Sequence, residues 1–272
     1  MAERAAPPVD VNTFIGGYPY RHVPHPDPEV LVRVLAREGI ASAWVGHLPG
    51  AFHRDPAESN EVLWQGVAAG EGVLHATPII RPDWPGWERE LALAVDRGAA
   101  AIRCYPQLAG LAPGDARLRA LAAACAAASV PVLLTTRFED LRQRHAIDTA
   151  PDLSAAHVRE LARARTGAHL LVTAAGREFI EEVHWGLTPE ERRLVSWDIS
   201  WLWGPPVDEL SHLFRTIGSD RFAYGSMWPL RLVQGPRANL ALLEADVAEA
   251  ALDDPRRWAG PTRRGAGEND GR

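Results

Sequence analysis

A single-domain α/β chain folded as a (β/α)8 TIM barrel is predicted by three observations: eight short strand-like runs, a helical pattern after each, and a length of 272 residues, usual for one such barrel. Strict alternation of strand and helix demands a parallel sheet, and eight repeats close it without leaving an edge. The runner-up, an open doubly wound sheet, should carry a phosphate-cradling G-x-G-x-x-G or G-x-x-x-x-G-K-[ST] turn after the first strand, and Gly16-Gly17-Tyr18-Pro19 lacks that spacing.

Apolar and β-branched runs place strands at Val9 to Ile15, Ser42 to Gly46, Val73 to Ile80, Ala99 to Cys104, Val130 to Thr135, His169 to Thr173, Val195 to Ile199 and Phe222 to Ser226. Amphipathic or alanine-rich stretches place helices at Pro28 to Glu38, Ala57 to Ala69, Trp87 to Arg97, Ala116 to Ala128, Ala155 to Ala164, Glu178 to His184, Val207 to Thr216 and Pro236 to Leu252. Pro28 and Pro236 suit a first turn, where a missing N–H costs nothing. Asp115, Ser154 and Asp208 stand at or near starts, where a side-chain oxygen can satisfy free amides. Residues 1–8 read as an extension, 9–252 as the barrel and 253–272, polar and rich in Gly, Pro and charge, as a flexible tail that cannot bury enough apolar area to offset ordering.

Composition narrows function by exclusion. A formal charge of -6, from 35 acidic and 29 basic side chains, gives no basic face for nucleic acid. No apolar run is long enough to span a membrane, and no secretory leader is legible in the first residues. Cys104 and Cys125 form neither a C-x-x-C pair nor a zinc spacing, so a reduced cytoplasmic setting is expected, with both as packing residues. Oligomeric state is open, with self-association compatible but not required.

In a barrel of this kind chemistry belongs at the C-terminal strand ends. Residues two apart on a strand share a face. That period puts Arg103 with Tyr105 at the barrel mouth, Ile102 with Cys104 against the helices, and groups Asp10, Asn12 and Phe14, Thr135 and Arg137, and Ser196 and Asp198. His22, His25, His47, His53 and His145 fall in loops on the same face. Arg103 and Arg137 suit a bidentate grip on a carboxylate or phosphate. His145 is the natural acid–base group, because imidazole titrates nearest neutrality, and Asp198 either orients it or acts as base. Trp201, Trp203 and Trp228 follow the last two strands and can wall an aromatic pocket, whereas Trp197 reads as core. The bland alternative makes Arg103 and Asp198 an internal ion pair and Glu139, Asp140, Arg142 and Arg144 a solvated loop. No G-x-S-x-G elbow or paired cysteine supports covalent catalysis.

Four runs in this order and phase carry a resemblance: Val9-Asp-Val-Asn-Thr-Phe-Ile-Gly16, Gly98-Ala-Ala-Ala-Ile-Arg-Cys-Tyr-Pro106, Glu139-Asp-Leu-Arg-Gln-Arg-His145 and Asp220-Arg-Phe-Ala-Tyr-Gly-Ser-Met-Trp-Pro229. From about Val9 to Leu252 the chain resembles the amidohydrolase superfamily, in its branch of small single-domain barrels with decarboxylases of the aminocarboxymuconate-semialdehyde type and predicted metal-dependent hydrolases. The resemblance implies hydrolase or carbon–carbon lyase chemistry on a metal centre. In that family a D-x-H-x-H segment supplies two ligands, matched here by Asp10, Asn12 and Phe14; further histidines match Thr135 and Ala174, and an aspartate matches Met227. Phenylalanine, alanine and methionine offer no hard ligand, so no metal and no cofactor are expected. The leading expectation is a metal-independent enzyme acting on a small anionic, aromatic or cyclic carboxylate, with His145 and Asp198 as proton handlers and Arg103, Tyr105, Arg137, Asn12, His22 and Trp201 as the binding set. A noncatalytic barrel that binds a ligand or partner, and a hydrolase with its metal relocated to His22, His25, His145 and Asp198, are the competing readings.

Overall fold

The computed structural model describes residues 8–70, 72–244, 247–248 and 255–258. Eight parallel strands form two hydrogen-bonded sets: β1 (Val9–Ile15), β2 (Ser42–His47) and β3 (Leu74–Ala76), then β4 (Ile102–Cys104), β5 (Val132–Thr135), β6 (Leu170–Thr173), β7 (Val195–Asp198) and β8 (Phe222–Ala223). Both seams between the sets are sewn by the backbone. At one, Val11 N–H donates to Tyr224 O (2.9 Å), Met227 N–H to Asn12 O (2.7 Å) and Phe14 N–H to Trp228 O (2.7 Å). At the other, Ala100 N–H donates to Ala76 O (2.9 Å), Arg103 N–H to Pro78 O (2.9 Å) and Ile80 N–H to Arg103 O (3.0 Å). The strands therefore run round as a barrel, as the alternating pattern predicts.

Around it lie α1 (Pro28–Arg37), α2 (Ala57–Ala69), α3 (Trp87–Asp96), α4 (Ala116–Ala127), α5 (Ala155–Arg163), α6 (Arg177–Trp185), the short α7 (Pro189–Arg192), α8 (Glu209–Ile217) and α9 (Gln234–Leu240). Helices such as α1 and α8 turn an apolar stripe inward at helical spacing, Leu31, Val34 and Leu35 from α1 and Leu210, Leu213 and Phe214 from α8. These stripes meet the outward strand residues, Ile102 and Cys104 among them, in one continuous core that also takes Trp197. Inside the barrel Val11, Trp44, Ala101, Leu133, Leu171 and Ala223 form a packed lower layer. No described helix is long and apolar enough to cross a membrane.

Several boundaries move for physical reasons. The helix expected from Pro236 to Leu252 ends at Leu240; Pro236 and Leu240 are its buried residues, and helix propensity without a buried stripe does not sustain a longer helix. Residues 247–248 are helical again, and 245, 246 and 249–252 lie outside the described residues. Asp115 caps α4, its carboxylate accepting Arg117 N–H at 2.8 Å. Ser154 and Asp208 stand at N-caps without making the bond: the Ser154 hydroxyl turns to His157 Nδ1 (2.8 Å), and Asp208 takes a left-handed backbone, φ 51°. The extension is described only at its last residue, Pro8. Of the tail, Pro255–Trp258 forms a single 3-10 turn, with Trp258 stacked 5.2 Å from His169 beneath the barrel, and the remainder of the expected flexible tail lies outside the described residues.

Candidate functional site

The interior above the lower layer is polar. Arg103, fully buried, rises from β4 between Nε–H···Oγ1 of Thr77 (2.8 Å), Nη1–H···Oδ1 of Asn12 (3.3 Å), Nη1–H···Oγ1 of Thr135 (3.4 Å) and Nη2–H···O of Thr13 (3.4 Å). Its Cζ sits 4.4 Å from the centroid of the Phe14 ring, a cation on an aromatic face. Two glycines leave the space. A Cβ at Gly46 would fall 2.7 Å from Arg103 Nε, and one at Gly225 would fall 2.5 Å from Asp198 Oδ2.

Asp198, at the end of β7 and fully buried, accepts Asn12 Nδ2–H (2.8 Å) on one oxygen and Ala174 N–H (2.8 Å) on the other. Asn12 thus joins the guanidinium to the carboxylate through its amide, and the direct Arg103–Asp198 ion pair is replaced by this relay. Burial raises the Asp198 pKa despite those hydrogen bonds and one from Ser200, so it is biased toward the neutral acid. Asp10 is raised to about 7, chiefly by burial, while Asn12 N–H (3.0 Å) and Ser226 N–H (3.1 Å) pull it back. A register shift between Asp10 and Thr13 breaks the period of two, so Val9 and Val11 join the inner layer and the expected grouping of Asp10 with Asn12 and Phe14 fails.

Over this network lies an aromatic lid. Phe138 packs against Phe14 (5.9 Å between centroids), Phe52 (5.3 Å) and Tyr105 (5.5 Å), with Tyr18 and Val23 in the same cluster. The Tyr105 hydroxyl, beside Arg103 and Thr135, is buried without completing a hydrogen bond, and burial raises its pKa. Arg103 and Tyr105 do face the interior, as their period requires, but the guanidinium is engaged internally and does not reach out beside Arg137 as a second claw.

Arg137 meets Trp201 instead. Its Cζ lies 5.6 Å from the centroid of Trp201, while Arg231, in the loop after β8, stacks on the same ring at 3.5 Å and donates from Nη1 to Ser200 O (3.4 Å). Arg137 also pairs with Asp152 (3.2 Å), and Arg144 bridges Asp152 and Asp148. Trp201 is buried with Ala174 and Met227, so it walls the β6 to β8 side of the mouth, and Trp203 is exposed. Sequence reasoning missed Arg231; its one signal was position, three residues after Trp228 in a loop on the mouth face.

His145 is exposed on the loop after β5 and faces Tyr20 at 6.4 Å, while Asp198 is fully buried at the end of β7, so the expected proton-handling pair is not joined by any described contact. His22 and His25 are exposed in the loop after β1, and the relocated metal set does not converge: the described residues contain no group of three or more His, Cys, Asp or Glu placed to hold an ion. Glu139 is buried and held by Arg21 (2.6 Å), and Arg144 is half-buried; of the loop expected to be solvated only Asp140 and Arg142 form an open local pair. A groove of about 430 Å³ lies elsewhere, between α1 and the loop after β8, lined by Val30, Arg33, Val34, Arg37 and Trp228 among others.

No protein-family model matches the chain, and no curated protein matches it. Solved structures do. A 2,6-dihydroxybenzoate decarboxylase from Rhizobium superposes with TM-score 0.66 at 14% identity, over 93% of this chain and 98% of that one. A 5-carboxyvanillate decarboxylase from Novosphingobium aromaticivorans, solved with manganese and 4-hydroxy-3-methoxy-5-nitrobenzoic acid, superposes with TM-score 0.70 at 11% identity, over 95% and 97%. An amidohydrolase from Mycobacterium avium subsp. paratuberculosis superposes with TM-score 0.59 at 17% identity, over 83% and 71%. The chain shares its barrel fold with these enzymes. A metal ion of the kind held in the second of these does not fit the matched positions here. Phe14, Ala174 and Met227 supply no hard donor, and the Arg103 cation, touching Asn12, Phe14 and Thr135, would repel a divalent ion.

Proposed function

We propose that this barrel is a lyase or hydrolase for a small, aromatic carboxylate that works by acid–base chemistry without the usual metal. The observation that carries the reading is the convergence, at the ends of β5, β7 and β8, of two guanidinium groups on one indole beside a carboxyl group biased toward its neutral form: Arg137 and Arg231 over Trp201, next to Asp198. The arginines would hold the substrate carboxylate, Trp201 would stack its ring, and Asp198 would deliver the proton. In a decarboxylation that proton goes to the ring carbon as the carbon–carbon bond breaks and CO2 leaves, and Asp198 is re-protonated from water. Tyr105 stays near the path with its uncommitted hydroxyl, and His145 and His22 stand at the entrance. The decarboxylase neighbours, named for aromatic carboxylates, support this reading through fold alone. The buried free thiols of Cys104 and Cys125 support a cytoplasmic setting.

The test is CO2 release and ester or lactone hydrolysis across hydroxybenzoates and cyclic dicarboxylates, with Asp198→Asn and Arg137→Ala alongside. Turnover lost in Asp198→Asn and a raised KM in Arg137→Ala are expected; turnover unchanged in folded Asp198→Asn would rule out its role. A second reading, a noncatalytic ligand-binding barrel, is favoured by the aromatic lid formed by Phe14, Tyr18, Phe52 and Phe138. Saturable binding of a carboxylate without turnover of any would select it.

A further inference from the structure

The buried charges of this barrel are arranged around Arg103, and their arrangement has a chemical logic of its own. A guanidinium in a dry interior is costly unless its donors and its charge are both answered. Three side-chain oxygens and one carbonyl take its protons, the face of the Phe14 ring meets its charge, and the Asn12 amide links it to the Asp198 carboxyl group. The neighbourhood is cut to this ion: Gly46 supplies the volume for its Nε and Cδ.

The contacts fall on particular positions. Arg103 touches Asn12, Phe14 and Thr135, and Asp198 touches Asn12 and Ala174, so the pair covers four of the five positions where related barrels would place metal ligands. Met227, the fifth, donates its N–H to Asn12 O. We propose that the Arg103 guanidinium is the resident cation of this barrel, a covalently attached replacement for the family's metal ion, which organises the inner polar network that a divalent ion would otherwise organise. This rests on the metal-free part of the reading above and not on catalysis. It explains why the ligand positions carry an amide, a hydroxyl and a ring: each is a partner for a flat, delocalised cation and a poor one for a compact dication. It also couples Asn12 to Arg103, because an imidazole ligand at residue 12 would take away the amide that links guanidinium to carboxylate.

Two measurements test it. Full-length protein expressed with zinc, manganese and iron is analysed for metal and melted with and without chelator; negligible metal and an unchanged Tm are expected. About one tightly held ion per chain, with a chelator-induced loss of stability, overturns both this proposal and the metal-free reading. Arg103→Ala and Arg103→Lys are then melted in sodium, methylammonium and methylguanidinium chlorides at equal, tens-of-millimolar concentration. Arg103→Ala is expected to lose about 10 °C in Tm and to regain part of it selectively in methylguanidinium, with Arg103→Lys intermediate. If Arg103→Ala does not fold, Arg103→Lys carries the test, and a metal-free Arg103→Lys as stable as the parent overturns the proposal. So does an Arg103→Ala that is undiminished or shows no selective rescue; in either case a metal-free parent leaves the metal-free reading standing.

Discussion

Gly46 and Asp10 show how single residues set the interior. A Cβ at Gly46 would meet Arg103 at 2.7 Å from Nε and 3.0 Å from Cδ, and the pinned side chain has nowhere to swing. Gly46→Ala is therefore expected to lose about 1–3 kcal/mol of stability, read as a lower denaturation midpoint in urea at unchanged slope. Asp10 acts through pH. Its folded pKa, raised to about 7 from 3.8, means the folded chain keeps a proton that the unfolded chain has released above about pH 4. Its contribution to stability is thus complete at low pH and is lost as pH rises toward 7, on the order of a few kcal/mol across that window. His47, His169 and His184, lowered by burial to about 4, 3 and 4, work with the opposite sign, gaining stability as pH rises to about 6.5. The effect is isolated by comparison: the stability difference between the parent and Asp10→Asn should fall from pH 4 to 7, and a flat difference would refute the assignment.

At the scale of elements, Asp115 separates a cap that forms from caps that only look available. Its carboxylate takes Arg117 N–H at 2.8 Å, and hydrogen bonds from Arg117 hold its pKa down to about 2. Asp115→Ala is expected to destabilise by about 0.5–2 kcal/mol at neutral pH, measured by chemical denaturation. Ser154→Ala should cost less, because the Ser154 hydroxyl bonds His157 and leaves the helix amides alone. Strands and helices were legible in order and type because the core imposes periods of two and 3.6 on apolar residues. Their ends were less so: β3, expected from Val73 to Ile80, runs beside β2 only over Leu74–Ala76, and beyond it Thr77 to Ile80 turn to Arg103 and Asn60, with Ile79 bridging to Arg103 of β4.

The whole molecule decides what can enter the barrel. Phe138 touches Phe14, Tyr18, Phe52 and Tyr105, so it joins the loops after β1, β2, β4 and β5 above the network. Phe138→Ala is expected to lower stability by about 3–5 kcal/mol in urea denaturation and to open the space over Tyr105 to apolar probes. A loss under 1 kcal/mol would mean that these loops re-close without it. Such a change would also discriminate the two functional readings, because a binding barrel should gain affinity for bulky aromatic carboxylates with no gain in turnover. The same assembly explains the split fate of the predicted site. Arg137 and Trp201 meet at the mouth with Arg231, Asn12 and Asp198 meet below with Arg103, and His145 and His22 remain outside, because loops of differing reach start from neighbouring strand ends.

By itself the sequence determined the number and order of the strands, the helix that follows each, the inward face of Arg103, the core place of Trp197, and the lack of hard donors at Phe14, Ala174 and Met227. Each is a local consequence of side-chain period or donor chemistry, and neighbours in sequence suffice to state it. Only the tertiary structure decided that Arg103 turns into the barrel and not out to a ligand, that Asn12 lies between it and Asp198, that Asp10 swings to Ser226, and that Arg231 joins Arg137 on Trp201. Those outcomes depend on which groups from strands far apart in sequence compete for the same buried charge. Pairing over separations of 91 residues for Arg103 with Asn12 and 186 for Asn12 with Asp198 leaves no trace in any local pattern.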